Sequence, residues 1–207
     1  MRNLLRYLPA ISILFFIILF VYSATLYPGG SQADANSIGF DWVNNYWCNL
    51  MGHHAMNGAA NAAQPYAIVA MIILCMGMTR FFFLFADRLA TTPTWRKIIE
   101  ISGGISMLLA ALIFTVMHDT LTIISSFFGF FALLGVTMGI AKSNWRTFQW
   151  TGILCLLLLG ANNFIYYTKI ALVALPLLQK ITFLVVLGWV VGLNFKLAKF
   201  KSNPMQN

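Results

Sequence analysis

The chain has 207 residues, of which 60% are hydrophobic and only 9% charged, and its mean hydropathy is +0.80. Soluble domains carry about 25% charged residues, so this composition excludes a water-soluble globular protein and makes lipid the solvent for most of the chain. A formal net charge of +8 does not indicate nucleic acid, because the basic residues fall in short clusters beside apolar runs, at 1–6, Arg96-Lys97 and 196–201. Clusters placed there act as topology signals and anionic-lipid contacts.

A helix needs roughly 20 mostly apolar residues to cross about 30 Å of hydrocarbon. Six segments meet that requirement, near 7–27, 65–86, 99–118, 121–141, 148–168 and 173–195. They predict an all-α fold: a bundle of six transmembrane helices forming a single integral membrane domain over residues 1–207. The first segment has the basic start and the small Ser23-Ala24 of a signal peptide, but its apolar run is longer than a usual h-region, so it is expected to remain as a span.

A long loop follows, 28–64. Its opening, from Pro28-Gly29-Gly30 onward, is rich in Gly, Ser and Asn and reads as irregular. Its middle, 40–51, mixes Phe40, Trp42, Tyr46, Trp47 and Leu50 with polar residues, which suits a segment at headgroup depth. Residues 57–64 are small and polar again. The loop is expected to lie as a cap over the bundle. In the second span, the Met-rich stretch 71–78, Arg80 and Phe81 to Phe85 read as packed or lipid-facing surface ending in a basic anchor.

The next loop carries Arg88, Arg96 and Lys97. The third span ends at His118, a tight turn around Asp119 leads to the fourth, and 142–147 joins the fourth to the fifth. A second tight turn, 169–172, precedes the last span. Of the thirteen Lys and Arg, only Lys169 and Lys180 fall on the side of the long loop, and all three His fall there too. The positive-inside rule then predicts cytoplasmic termini and an outward-facing long loop, a pattern that fits a bacterial inner membrane. Small residues one turn apart, at Ser102/Ser106/Ala110, Ser125/Gly129, Gly135/Gly139 and Gly188/Gly192, are expected to let helices approach closely.

Chemically competent side chains therefore gather at the outer face. His118 and Asp119 read as a metal ligand with a supporting carboxylate, as a proton-handling pair, or as a hydrated helix end. His53 and His54 are adjacent, so they diverge in both helix and strand and at most one would point at a given ion. One of them with His118 and Asp119 or Asp41 would compose an open zinc site, although no H-E-x-x-H spacing is present. Cys75 and Cys155 lie in apolar runs, which leaves no disulfide framework. Cys48 has only Lys180 as a source of positive field. Lys180 stands one to two turns inside the last span, placed to snorkel outward or to pair with Asp119, Asp34, Asp41 or a lipid phosphate. Asn162, Asn163, Tyr166, Tyr167 and Lys169 form polar stripes near the outer end of the fifth span, where they bond neighbouring helices or line a cavity beneath the loop.

The stretch Asn45-Tyr46-Trp47-Cys48-Asn49-Leu50-Met51-Gly52, His118, and Leu178-Gln179-Lys180-Ile181-Thr182 leading to Trp189 resemble the polytopic membrane family catalogued as domain of unknown function 998. The resemblance covers most of the chain and implies a six-span fold and a membrane location, but no reaction. Cys48-Asn49 stands where that family tends to have a Ser-Asp pair, and Gln179-Lys180 where it tends to have Glu-Arg. A weaker likeness is to the seven-span ceramidase and progestin-receptor-like hydrolases, which hold zinc near one membrane face; this chain has one span fewer and lacks their paired His in a final helix.

These readings predict a protein whose partners are membrane lipids, with an outward polar pocket of His118, Asp119, Lys180, Asn162, Asn163, Tyr166 and Asp41 that takes a lipid headgroup or similar amphiphile without a cofactor. The alternative is a metal-assisted membrane hydrolase acting on a lipid or envelope substrate, with zinc on His53, His54 and His118. A transporter fits less well, since no internal repeat, broken helix or mid-membrane charge is seen.

Overall fold

The computed structural model describes residues 4–200, so Arg2 and Lys201 of the terminal basic clusters lie outside the described residues. Six helices follow one another: α1 (Leu8–Thr25), α2 (Gln64–Leu89), α3 (Pro93–Ala110), α4 (His118–Lys142), α5 (Arg146–Thr168) and α6 (Leu175–Lys199). Proline stands in the first turn of α1, α2, α3 and α6, where its fixed φ suits the helix and its missing N–H costs nothing. No strand occurs among the described residues; two isolated bridges, Gly29 with Ile38 and His54 with Ala60, tie the connection between α1 and α2.

Five of these helices are long and apolar enough to cross a membrane, and α3 is the exception. Its 18 residues hold Arg96, Lys97 and Glu100 near the start, and it stops at Ala110 although the apolar run continues to Met117. The chain instead turns through 111–117 on bonds such as Leu112 N–H to Leu109 O (3.0 Å) and His118 N–H to Thr115 O (3.1 Å). Residues 113–116 are Ile, Phe, Thr and Val, β-branched or aromatic types that lose rotamer freedom in a helix. Hydropathy does not register that loss. The prediction that His118 closes the third span is therefore corrected: His118 is the first residue of α4.

Short connections make the consecutive helices from α2 to α6 antiparallel, and particular contacts fix which ends meet. Trp47 N–H reaches Gln179 Oε1 (3.1 Å), which puts the start of α6 beside the α1–α2 connection. At the other end Asn194, fully buried, donates to Arg6 O (2.8 Å) and accepts from Ala10 N (3.4 Å), closing α1 onto α6. Arg88 adds a bond to Leu197 O (3.3 Å). The loop end thus carries His53, His54, His118, Asp119, Lys169 and Lys180, and the terminal end carries Arg88, Arg96, Lys97, Lys142, Arg146, Lys196 and Lys199.

Between apolar helices in lipid, burial supplies no drive, and close packing with a few hydrogen bonds must hold the bundle. Gly77 lets α2 lie directly on Ser12 of α1, with no room for a Cβ. Ser106 and Ser125 bond reciprocally, each hydroxyl donating to the other's carbonyl at 2.9 Å, and Gly129 packs over the pair. Gly135 and Gly139 seat Ile99 and Phe85, while Trp189 lies on Gly152 and donates to Phe148 O (2.8 Å). Gly188, by contrast, faces open space. Of the Phe81 to Phe85 run, only Phe83 is exposed. Helix α5 buries little beyond Gly152 and Cys155.

Candidate functional site

Residues 26–63 fold as a compact cover on the loop end, held by buried asparagines and not by regular structure. Gly30, at φ +82°, donates to Ser37 O (2.7 Å), and the backbone at Met56 and Asn57 presses against it so closely that a side chain there would collide. Asn45, fully buried, accepts from Asp41 N (2.8 Å) and donates to Gly30 O (2.9 Å). Asn61 donates to the carbonyls of Asn49 (3.1 Å), Leu50 (3.1 Å) and Gly52 (2.8 Å) and accepts from Ala63 N (3.1 Å). It thereby staples a 3-10 turn at Trp47–Met51. Trp47 inserts beneath the cover, its ring 4.7 Å from Phe20 and 6.0 Å from Phe183 between centroids.

Lys180 is the second anchor. It is only 6% exposed; its ammonium donates to Asn45 O and to Pro176 O (3.1 Å) and stands 5.6 Å from the Phe40 ring centroid. Paired carbonyls and an aromatic face offset the cost of enclosing the charge. Asp41 is close enough to feel that charge, but its oxygens serve a local turn, accepting from Val43 N (2.9 Å), Asn44 N (3.0 Å) and Asn44 Nδ2 (2.8 Å). The Asn44 amide, with those backbone N–H groups and the Lys180 ammonium, holds the Asp41 carboxyl below the usual carboxylate range.

The other predicted pocket residues fall elsewhere. Asn162 donates to Leu158 O (2.8 Å) and to Thr182 Oγ1 (2.7 Å), joining α5 to α6, and Asn163 donates to Leu159 O of its own helix (2.8 Å). His118 and Asp119 meet, Nδ1 to Oδ1 at 3.0 Å, because as the first residues of α4 they have no preceding turn to keep them apart. Both are substantially exposed. Tyr166 and Lys169 lie within range of the same carboxylate, and Lys169 Nζ stands 4.2 Å from the Tyr166 ring centroid. The structure therefore brings His118, Asp119 and Tyr166 together with Lys169, and sets Lys180 with Asp41 in a separate group under the cover.

Cys48 lies between the two groups, near enough to both Asp119 and Lys180 to feel their charges. Burial pushes its thiol up to about 11, so it is no nucleophile near neutrality. His54 is exposed, and His53 Nδ1 lies 3.1 Å from Gln64 Nε2. Among the described residues no three His, Cys, Asp or Glu side chains form a set that could hold a metal ion, so His53, His54 and His118 are not assembled into a zinc site.

A groove of about 480 Å³ opens between the start of α2 and the α3–α4 turn, lined by His53, Gln64, Pro65, Ile68, Phe114, Thr115 and Val116. Four of its lining residues are apolar, and the other three bring an imidazole, an amide and a hydroxyl. The groove depends on α3 ending early, which hydropathy alone does not reveal. Asn61 and Asn194 likewise carry no mark in the sequence that sets them apart from other amides, and Asn45 and Gln179 stand out there only through the family resemblance.

No family model, curated protein or solved structure matches the chain. Segments 45–52 and 178–182 touch, through Trp47 N–H with Gln179 Oε1 and Lys180 with Asn45 O.

Proposed function

We propose that this chain is a six-span membrane protein of the 998 family, with cytoplasmic termini, that receives a lipid or similar amphiphile from the outer leaflet of a bacterial inner membrane. Five long apolar helices support membrane integration. The cationic terminal end, set against a loop end holding both exposed histidines and His118, supports the orientation.

The groove carries the functional reading. Its apolar lining of Pro65, Ile68, Phe114 and Val116 suits an acyl chain, and its polar lining of His53, Gln64 and Thr115 suits a headgroup. Val116 of that lining and the neighbouring Met117 are fully and largely exposed, so an amphiphile can arrive sideways from the bilayer. Filling the groove with Ile68→Trp should lower lipid retained by the purified full-length protein, measured by mass spectrometry and normalised to protein. Retention equal to that of the parent, in a variant with unchanged melting temperature, would remove the basis for this function.

A further inference from the structure

A cleft of about 330 Å³ lies at the terminal end, along the first turns of α3, lined by Pro93, Thr94, Lys97, Ile98, Ile101 and Ser102. Its volume falls within the range of small-ligand sites. Every lining residue belongs to one helix, so the helical rise sets their relative depth. Thr94 and Lys97 stand nearest the end of the bundle, and Ile101 lies about 6 Å further in than Lys97. Thr94, Lys97 and Ile101 are exposed, Ile98 is half-buried and Ser102 is buried. A hydroxyl and an ammonium outside, with two isoleucines further in, reproduce the order of polarity along a phospholipid of the leaflet at this end.

The charges at this end are unevenly matched. Among the described residues its carboxylates are Asp87 and Glu100, and Arg96 engages both, at 3.1 Å each. Arg88 donates to Leu197 O and Phe200 O, and Lys196 Nζ stands 4.5 Å from the Trp145 ring centroid. Lys97 has neither a carboxylate nor an aromatic ring as partner among the described residues. It is also the one charged residue in the cleft. An unmatched ammonium above an apolar cleft is complementary to a phosphate carried on acyl chains. A choline headgroup brings its own cation, which Lys97 repels.

We propose that this cleft seats one anionic phospholipid, its phosphate on Lys97 and Thr94 and an acyl chain along Ile98 and Ile101. The site lies at the opposite end of α3 from the amphiphile groove and is independent of it, requiring only membrane integration. It assigns the lipid to one lysine, whereas the diffuse field of a basic surface would be shared among Lys97, Lys142, Arg146 and Lys199.

The test titrates the full-length protein in detergent with phosphatidylglycerol and with phosphatidylcholine of matched chains, and counts bound lipid by native mass spectrometry. Phosphatidylglycerol should bind at least about fivefold more tightly, the scale of one lysine's attraction to anionic lipid. Lys97→Gln should shrink that preference to within about twofold, and Lys142→Gln, at the same end but outside the cleft, should leave it unchanged. Ile101→Trp, which fills the cleft, should weaken both lipids, and glycerol phosphate, the headgroup chemistry without chains, should displace neither. A preference that survives Lys97→Gln at the parental melting temperature, or that falls equally with Lys142→Gln, would overturn the discrete site in favour of a diffuse basic surface. Equal binding of the two lipids by the parent would overturn the selection of anionic lipid. Lipid binding indifferent to Ile101→Trp, or displacement by glycerol phosphate, would overturn the seating of an acyl chain.

Discussion

Asn61 offers the sharpest test of how the cover is held. One amide group reaches three backbone carbonyls at 2.8–3.1 Å, and its oxygen takes the Ala63 N–H at 3.1 Å. Two amide hydrogens cannot serve three carbonyls at full strength, so Asn61→Ala removes the equivalent of about three hydrogen bonds, at about 1 kcal/mol each. The residue is 7% exposed, which leaves water little access to repair the loss. The cover should then open about a hundredfold more often, since each 1.4 kcal/mol is a factor of ten. Hydrogen exchange followed by mass spectrometry would show faster exchange in 45–63 with little change in the α3–α4 hairpin. Asn61→Asp, which keeps an acceptor for Ala63 N–H and loses the donors, should fall between parent and Ala variant. Protection in 45–63 unchanged by the Ala substitution would mean that the 3-10 turn holds itself and that the staple argument is wrong.

Three further outcomes follow from the geometry. Gly77→Ala should destabilise the bundle by about 1–3 kcal/mol by forcing α2 off Ser12, whereas Gly188→Ala, facing open space, should leave the melting temperature in detergent within error of the parent; equal effects would refute the packing assignment. The Cys48 thiol, with its pKa near 11 against an ordinary 9.0, should carry about a hundredfold less thiolate near neutrality than a free cysteine. Its alkylation, mapped by peptide mass, should rise with pH through 10, and labelling at pH 7 as fast as free cysteine would contradict its burial. Asp41 has a depressed carboxyl pKa, so its stabilisation is present above the unfolded value of about 3.9 and is lost as pH falls through the lower folded value. The melting-temperature gap between the parent and Asp41→Asn should accordingly hold from pH 7 to pH 5 and close below about pH 4, and a gap independent of pH would show that the charge contributes nothing.

Hydropathy located α1, α2, α4, α5 and α6 to within a few residues, because a long apolar helix is the simplest answer to a solvent that cannot satisfy backbone groups. It failed at α3 for a physical reason. Ile113 to Val116 are as apolar as the rest of the run but poorly suited to a helix, and an average over 19 residues weighs transfer to lipid and not rotamer entropy. Small-residue spacing anticipated the Ser106–Ser125 and Gly129 contact, yet it could not separate Gly192, pressed against Phe148, from the open Gly188. At the site, residue type marked His118, Asp119 and Lys180 as unusual. It could not tell that Lys180 is satisfied by backbone carbonyls, since carbonyl partners leave no mark in sequence, nor that Asn61 organises the cover from a stretch that reads as plain linker.

The brevity of α3 bears on the surrounding membrane. At 1.5 Å per residue its 18 residues rise only about 27 Å, and the first of its turns are ionic. In the six-span arrangement proposed above, lipids beside this leg would draw in to meet it, at fractions of a kcal/mol per Å, and thin the bilayer where the groove opens. Bilayers built from shorter acyl chains already have that thickness and would accommodate the protein with less elastic strain.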